Sequence, residues 1–280
     1  MYMFVLIILV IIILILVFIY FNKYHIVEIS DRNKKKYHNK IKLFEKHMTQ
    51  WYPLGNDSFM IDHGKNYYSF FERLGKVHMN ICLYKGQVIA TACAVLRNVN
   101  NHKVWYICDL KVSPNHRGNH IPFRLLLHSI DKISICNKGY GICMNDDKKD
   151  NKIYKLIKKN PFFKCKKAKT LMIYSLDYNT IKRALPIIKK YKGSVNFLSL
   201  KDKKDLILKS TNTPINLLHL QYDNGNQDPI PDYTYMFCCL KKSNLYYELK
   251  LNNIETNITA DIIHYNMTDF NWDFILTSDI

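Results

Sequence analysis

The segment SPNHRGNHIP, Ser113 to Pro122, joins a strand-like run ending at Val112 to a helix-like run, IPFRLLLHSIDKI, that starts at Ile121 or Pro122. A turn that delivers backbone N–H groups to the start of a helix is a ready anion site, because unpaired amides and the helix dipole both put positive charge there. Arg117 adds a full charge, and the turn is of a size for a pyrophosphate. Pro122 suits a first helical turn, where its missing N–H would be unpaired anyway, yet it withholds one donor from an anion. His120 brings a Cβ where close approach is wanted. The plain alternative is an ordinary strand-to-helix turn. Asp109 stands at the end of the strand among apolar neighbours, an environment that raises a carboxylate's proton affinity and suits a base; a structural hydrogen bond to the loop is the other reading. His116, in the loop, is a weaker candidate for the same work.

Those residues depend on the elements around them. Ile41, Phe44, Met48 and Trp51 recur at the spacing of one helical face, which predicts a helix from about Ile41 to Trp51, ended by Pro53 and Gly55. The run VHMNICLYKGQVIATACAVL changes to a period of two on either side of Lys85-Gly86, a β-hairpin signal. Val104 to Val112, VWYICDLKV, is apolar on both faces and reads as a central strand. After the loop and its helix come a strand at Tyr140 to Met144, a helix from about Asp150 to Lys159 stopped by Asn160-Pro161, and a strand at Lys169 to Leu176. The order is α β β β α β α β.

The residues DLKVSPNHRGNHIPFRLLL, Asp109 to Leu127, resemble the coenzyme-binding segment of the GNAT family of N-acetyltransferases. Leu110, Val112 and Pro114 match that family's strand end, and Arg117-Gly118-Asn119-His120-Ile121-Pro122 occupies its R/Q-x-x-G-x-G/A loop, with His120 and Pro122 standing where Gly and Gly or Ala are usual. The resemblance covers roughly residues 40 to 176. It implies an α+β fold, a mixed and mostly antiparallel sheet flanked by helices, with a central parallel pair splayed around acetyl-CoA. It also implies direct attack by an amine acceptor, protein or small molecule, and no metal. Leu110, Lys111 and Val112 would then hold the thioester by their backbone, and Arg117 to Pro122 the pyrophosphate. Asp109 becomes the candidate base. The family's tyrosine acid has no match, since Ile157 takes its place; Tyr154, about one turn earlier, is the nearest phenol, or else a core aromatic.

Residues 1 to 21 carry no charged side chain and would span ~30 Å as a helix, the thickness of a bilayer core. The run also lacks Ala, Gly and Ser, which argues against a cleaved signal peptide. Lys23, Arg32, Lys34, Lys35, Lys36 and Lys40 follow, so the reading is a single-pass membrane anchor, a basic tether over 22 to 39, and a cytosolic remainder. The eight cysteines form no C-x-x-C pair and read as buried thiols. Net charge is +18, but no base-reading motif accompanies it, and lysines among Asn and Ile match the bias of an AT-rich genome; specific nucleic-acid binding is not expected. A hydrophobic share of 48% with 13% aromatic residues excludes disorder throughout. Residues 177 to 280 open with a basic helix, NTIKRALPIIKKYKG. The runs YTYMFCCL, LYYELKL and ADIIHYNM then look like strands. This part reads as an extension or as a degenerate second half of the same fold, a tandem arrangement like that of N-myristoyltransferases. The leading reading is a membrane-tethered acetyltransferase. A long-chain acyltransferase and an inactive interaction module are the alternatives.

Overall fold

The computed structural model describes residues 23–48, 51–54, 57–145, 152–158, 164–222 and 225–280. The anchor expected over residues 1–21 lies outside them. Among the described residues no helix is long and apolar enough to cross a membrane.

The chain opens with strand β1 (His25–Ile29) and helix α1 (Lys34–His47), which buries Tyr37, Ile41, Phe44 and Glu45 along one face. The helix expected from Ile41 thus begins about two turns earlier, and the stretch expected as a tether holds a strand. Charge had masked it: β1 pairs with a strand some fifty residues away, a contact that no local pattern announces. Strands β2 (Tyr52–Leu54) and β3 (Asp57–Asp62) and the short helix α2 (Ser69–Leu74) follow, none of them expected. The hairpin is present as β4 (Lys76–Tyr84) and β5 (Gln87–Val99). Lys85 and Gly86 between them both have left-handed φ, 49° and 77°, as a two-residue turn that matches strand twist requires. Then come β6 (His102–Val112), α3 (Ile121–His128), β7 (Gly139–Met144), α4 (Lys152–Lys158) and β8 (Lys166–Leu176). The C-terminal part adds α5 (Tyr178–Lys192), β9 (Asn196–Leu198), β10 (Asp205–Leu208), β11 (Leu217–Gln221), β12 (Thr234–Leu240), α6 (Asn244–Leu251) and β13 (Thr259–Tyr265).

The run LYYELKL, expected as a strand, is helix α6. The Ser243 hydroxyl caps it by accepting from the Tyr246 N–H at 3.2 Å, and Leu245 and Leu249, four residues apart, bury the same face.

Contacts divide the chain into two compact units, one of residues up to Met48, His78–Cys93 and Asp109–Lys132, the other of the remainder. In the first, strand neighbours run β1-β4-β5-β6, and β1 is antiparallel to β4 from His25↔Leu83 to Ile29↔Met79. Ile121 and Leu125 of α3, one turn apart and fully buried, pack with Tyr24, Cys82, Ile89 and Ala90, and Leu110 and Val112 lie against them. Truncating a leucine so placed costs about 2–5 kcal/mol.

In the second unit β6 is parallel to β7, and the order continues β7-β13-β8-β12-β11-β9, antiparallel except for β12 with β11. A separate sheet holds β10-β3-β2. The passage β6, connection, β7, α4, β8 recurs as β11, connection, β12, α6, β13, with the closing strands exchanged: β8 pairs with β12 and β13 with β7. None of the eight cysteines is in a disulfide. Burial pushes the Cys82 thiol up to about 11 and that of Cys143 to about 12, Asp261 adding to the second, so both are inert at neutral pH.

Candidate functional site

Asp109 interrupts β6. Its φ of 51° lies in the left-handed region, which Asp tolerates better than most residues but which breaks a strand's ladder as a bulge does. Its carbonyl is bonded by the Thr91 hydroxyl of β5, which donates at 3.0 Å; the same hydroxyl stands 3.3 Å from Asp109 Oδ2. Lys111 Nζ lies 2.6 Å from Asp109 Oδ1 and 3.8 Å from Glu45 Oε1 of α1, and Lys42 Nζ donates to Glu45 Oε2 at 2.7 Å. Apolar surroundings were expected for Asp109. The structure instead encloses its carboxylate, 4% exposed, in an ion pair, because the strand's apolar neighbours Leu110 and Val112 turn to the α3 core while Lys111 folds back on Asp109. Asp is disfavoured inside strands, and that was the one sequence signal for the interruption. Thr91 and Glu45 were missed; a threonine in a strand and a glutamate on a basic helix are too ordinary to stand out.

Beyond Val112 the chain makes a 3-10 turn, Pro114–His116, and then the loop into α3. Gly118 has φ 82°, and nothing lies within 4 Å of where a Cβ would sit. His120 has φ 53°, ψ 21°, so it takes the left-handed geometry that a glycine would, and its ring is exposed. No side chain caps α3, and the N–H groups of Gly118, His120 and Ile121 meet no acceptor among the described residues. The loop's own polar side chains tie carbonyls and leave those amides alone: Asn119 Nδ2 donates to the carbonyls of His116 and Arg117, and Arg117 Nε to that of Val112. Left-handed residues near a helix start form a concave cluster of N–H groups, to which an exposed Arg117 adds charge. Pro122 sits in the first helical turn, where it offers no N–H.

His116 is the loop's weaker candidate for the base. It packs between Tyr24 and Tyr84, ring centroids 5.8 and 4.8 Å away, with Tyr24 Oη 3.3 Å from its Nδ1. Arg124 of α3 donates to the Tyr24 carbonyl at 2.9 Å. These contacts pin the loop's first turn to β1 and β4. In the second unit, the β6–β7 ladder runs only from Trp105↔Gly139 to Ile107↔Gly141, although β6 continues to Val112 and β7 to Met144. Tyr154 stands half-buried on α4. Asp109 and the loop are thus brought into one unit, and Tyr154 belongs to the other. Among the described residues no group of three or more His, Cys, Asp or Glu is placed to hold a metal ion.

Residues 41–152 match the model of the acetyltransferase (GNAT) family, a stretch that runs from within α1 to the start of α4. The match supports the resemblance carried by the loop and covers less than half of the chain. An uncharacterized protein of Acanthamoeba polyphaga mimivirus is 26% identical over 240 residues, 77% of this chain and 68% of that one. Among solved structures, Arabidopsis thaliana Naa50 in complex with the bisubstrate analogue CoA-Ac-MVNAL is similar at 16% identity and a TM-score of 0.35, over 53% of this chain and 86% of that chain. A tandem GNAT protein from the clavulanic acid biosynthesis pathway is similar at 8% identity and a TM-score of 0.48, over 86% and 98%.

Proposed function

We propose that the chain is an N-acetyltransferase that moves an acetyl group from acetyl-CoA to an amine of a protein or small molecule. The observation that carries this reading is the set of unbonded amides at Gly118, His120 and Ile121, beside open space and next to Arg117 at the positive end of α3. The match of residues 41–152 to the GNAT family supports acetyl transfer at the level of the family. When bound, acetyl-CoA supplies an activated acetyl group on a thiol that leaves readily.

The residues divide the work. Arg117, Gly118, Asn119, His120 and Ile121 hold the pyrophosphate, with Pro122 shaping the turn without a donor. The backbone of Leu110, Lys111 and Val112, following the break at Asp109, receives the thioester. Asp109 takes the proton of the incoming ammonium, which requires Lys111 to release it, and the departing thiolate takes a proton from solvent. The uncharged run of residues 1–21 with its basic flank is read as a membrane anchor that leaves the catalytic part in the cytosol.

The test is a thermal-shift titration of the full chain with acetyl-CoA. A ligand of the native state present at a hundredfold its Kd stabilises by about 2.7 kcal/mol and raises the Tm by several degrees. No shift at millimolar acetyl-CoA overturns the reading.

A further inference from the structure

We infer that Thr91 is a positioning residue for the thioester carbonyl: its hydroxyl anchors the peptide between Asp109 and Leu110 so that the Leu110 N–H is turned outward to receive it. The inference rests on the acetyltransferase reading above and assigns a role to a residue that does not touch the reacting atoms.

A peptide unit is planar and trans, so its C=O and N–H point in opposite directions. The Asp109 carbonyl points at Thr91 Oγ1, 3.0 Å away on β5. The N–H on the same peptide, that of Leu110, therefore points away from Thr91. Thr91 is fully buried, at 0% exposure, so water is not at hand to replace its hydroxyl. The hydroxyl has one proton, and the shorter of its two contacts is to the carbonyl, 3.0 against 3.3 Å to Oδ2. Lys111 at 2.6 Å from Oδ1 holds the other side of the same residue. Asp109 is thus gripped by its carbonyl and by its carboxylate, which keeps a left-handed residue where an extended one would be favoured. Without the Thr91 hydroxyl the carbonyl loses this bond and the peptide is less firmly held in its present orientation, the Leu110 N–H with it.

Acetyl-CoA has the carbonyl that this N–H would meet and coenzyme A lacks it, so the two ligands isolate the effect. The measurement is the Kd of each, by calorimetry, for the full chain and for Thr91→Val and Thr91→Ser. Thr91→Val is expected to weaken acetyl-CoA about tenfold and coenzyme A by less than about twofold, and Thr91→Ser to restore the wild-type ratio. Equal losses for both ligands, or none, overturn the inference and leave the acetyltransferase reading standing. A wild-type chain that binds neither ligand overturns both. Thr91→Cys, close in size with a weaker donor, carries the same comparison if Thr91→Val does not fold.

Discussion

The parallel pairs β6–β7 and β11–β12 are built alike, each with a three-residue ladder and each followed by a helix and an antiparallel strand, yet they differ in what leaves the first strand. After β6 the chain enters a loop in which the N–H groups of Gly118, His120 and Ile121 meet no acceptor among the described residues, and a helix whose positive end they adjoin. After β11 the described residues form no helix before β12. There the Gln227 N–H donates to the Val195 carbonyl at 3.0 Å, and the Ile230 N–H to the Tyr235 hydroxyl at 2.7 Å. Asp228 and Asp232 add negative charge, and Phe197, Leu218, Gln227, Asp228 and Ile230 line a cavity of about 370 Å3. The lesson is that strand architecture does not make an anion site. Unbonded N–H groups beside a helix start and an arginine do, and the second connection has no basic residue and, among the described residues, no helix.

That contrast can be broken at graded depth. The largest effect is expected from Asp109→Asn, which tolerates the same left-handed backbone but removes the base and the ion pair with Lys111: thiol release from acetyl-CoA in the presence of an acceptor amine should fall about a hundredfold or more, well beyond any loss of acetyl-CoA affinity. Parallel losses in binding and rate would reduce Asp109 to a structural role. Next is the paired change Arg117→Ala and Asp228→Ala. The first should weaken acetyl-CoA about tenfold and flatten the salt dependence of binding, and the second should leave the Kd unchanged. An equal response to both would erase the distinction between the two connections. The smallest effect sharpens it: Pro122→Ala restores one N–H to the first turn of α3 and should tighten acetyl-CoA about threefold. Unchanged affinity there would mean that the missing donor lies out of the ligand's reach.

The loop itself was legible in the sequence, because glycine, proline and arginine in a short connection carry their geometry and charge with them. The hairpin at Lys85-Gly86 and the strand ending at Val112 were legible for the same local reason. The left-handed turn of His120 was not, since nothing in a histidine announces that it will take a glycine's conformation. Nor was β1, whose residues HIVEI sit in a basic stretch and acquire a strand's identity from Leu83 to Met79 across the ladder. Helix α6 was misread because LYYELKL alternates well enough for a strand; the cap at Ser243 and the buried pair Leu245 and Leu249 decided otherwise.

By itself the sequence determined the local elements around the loop, the positive balance of the chain and the residue types available for anion binding, all properties that depend on neighbours a few positions apart. Tertiary structure alone decided that Thr91 meets Asp109 across a strand pair, that Glu45 of α1 meets Lys111, and that β13 inserts beside β7. Those contacts join residues 18 to over 100 positions apart. Hydrogen bonds and ion pairs of that reach depend on which strands become neighbours, and neighbour choice is a property of the whole packed chain, with no spacing in the sequence to record it.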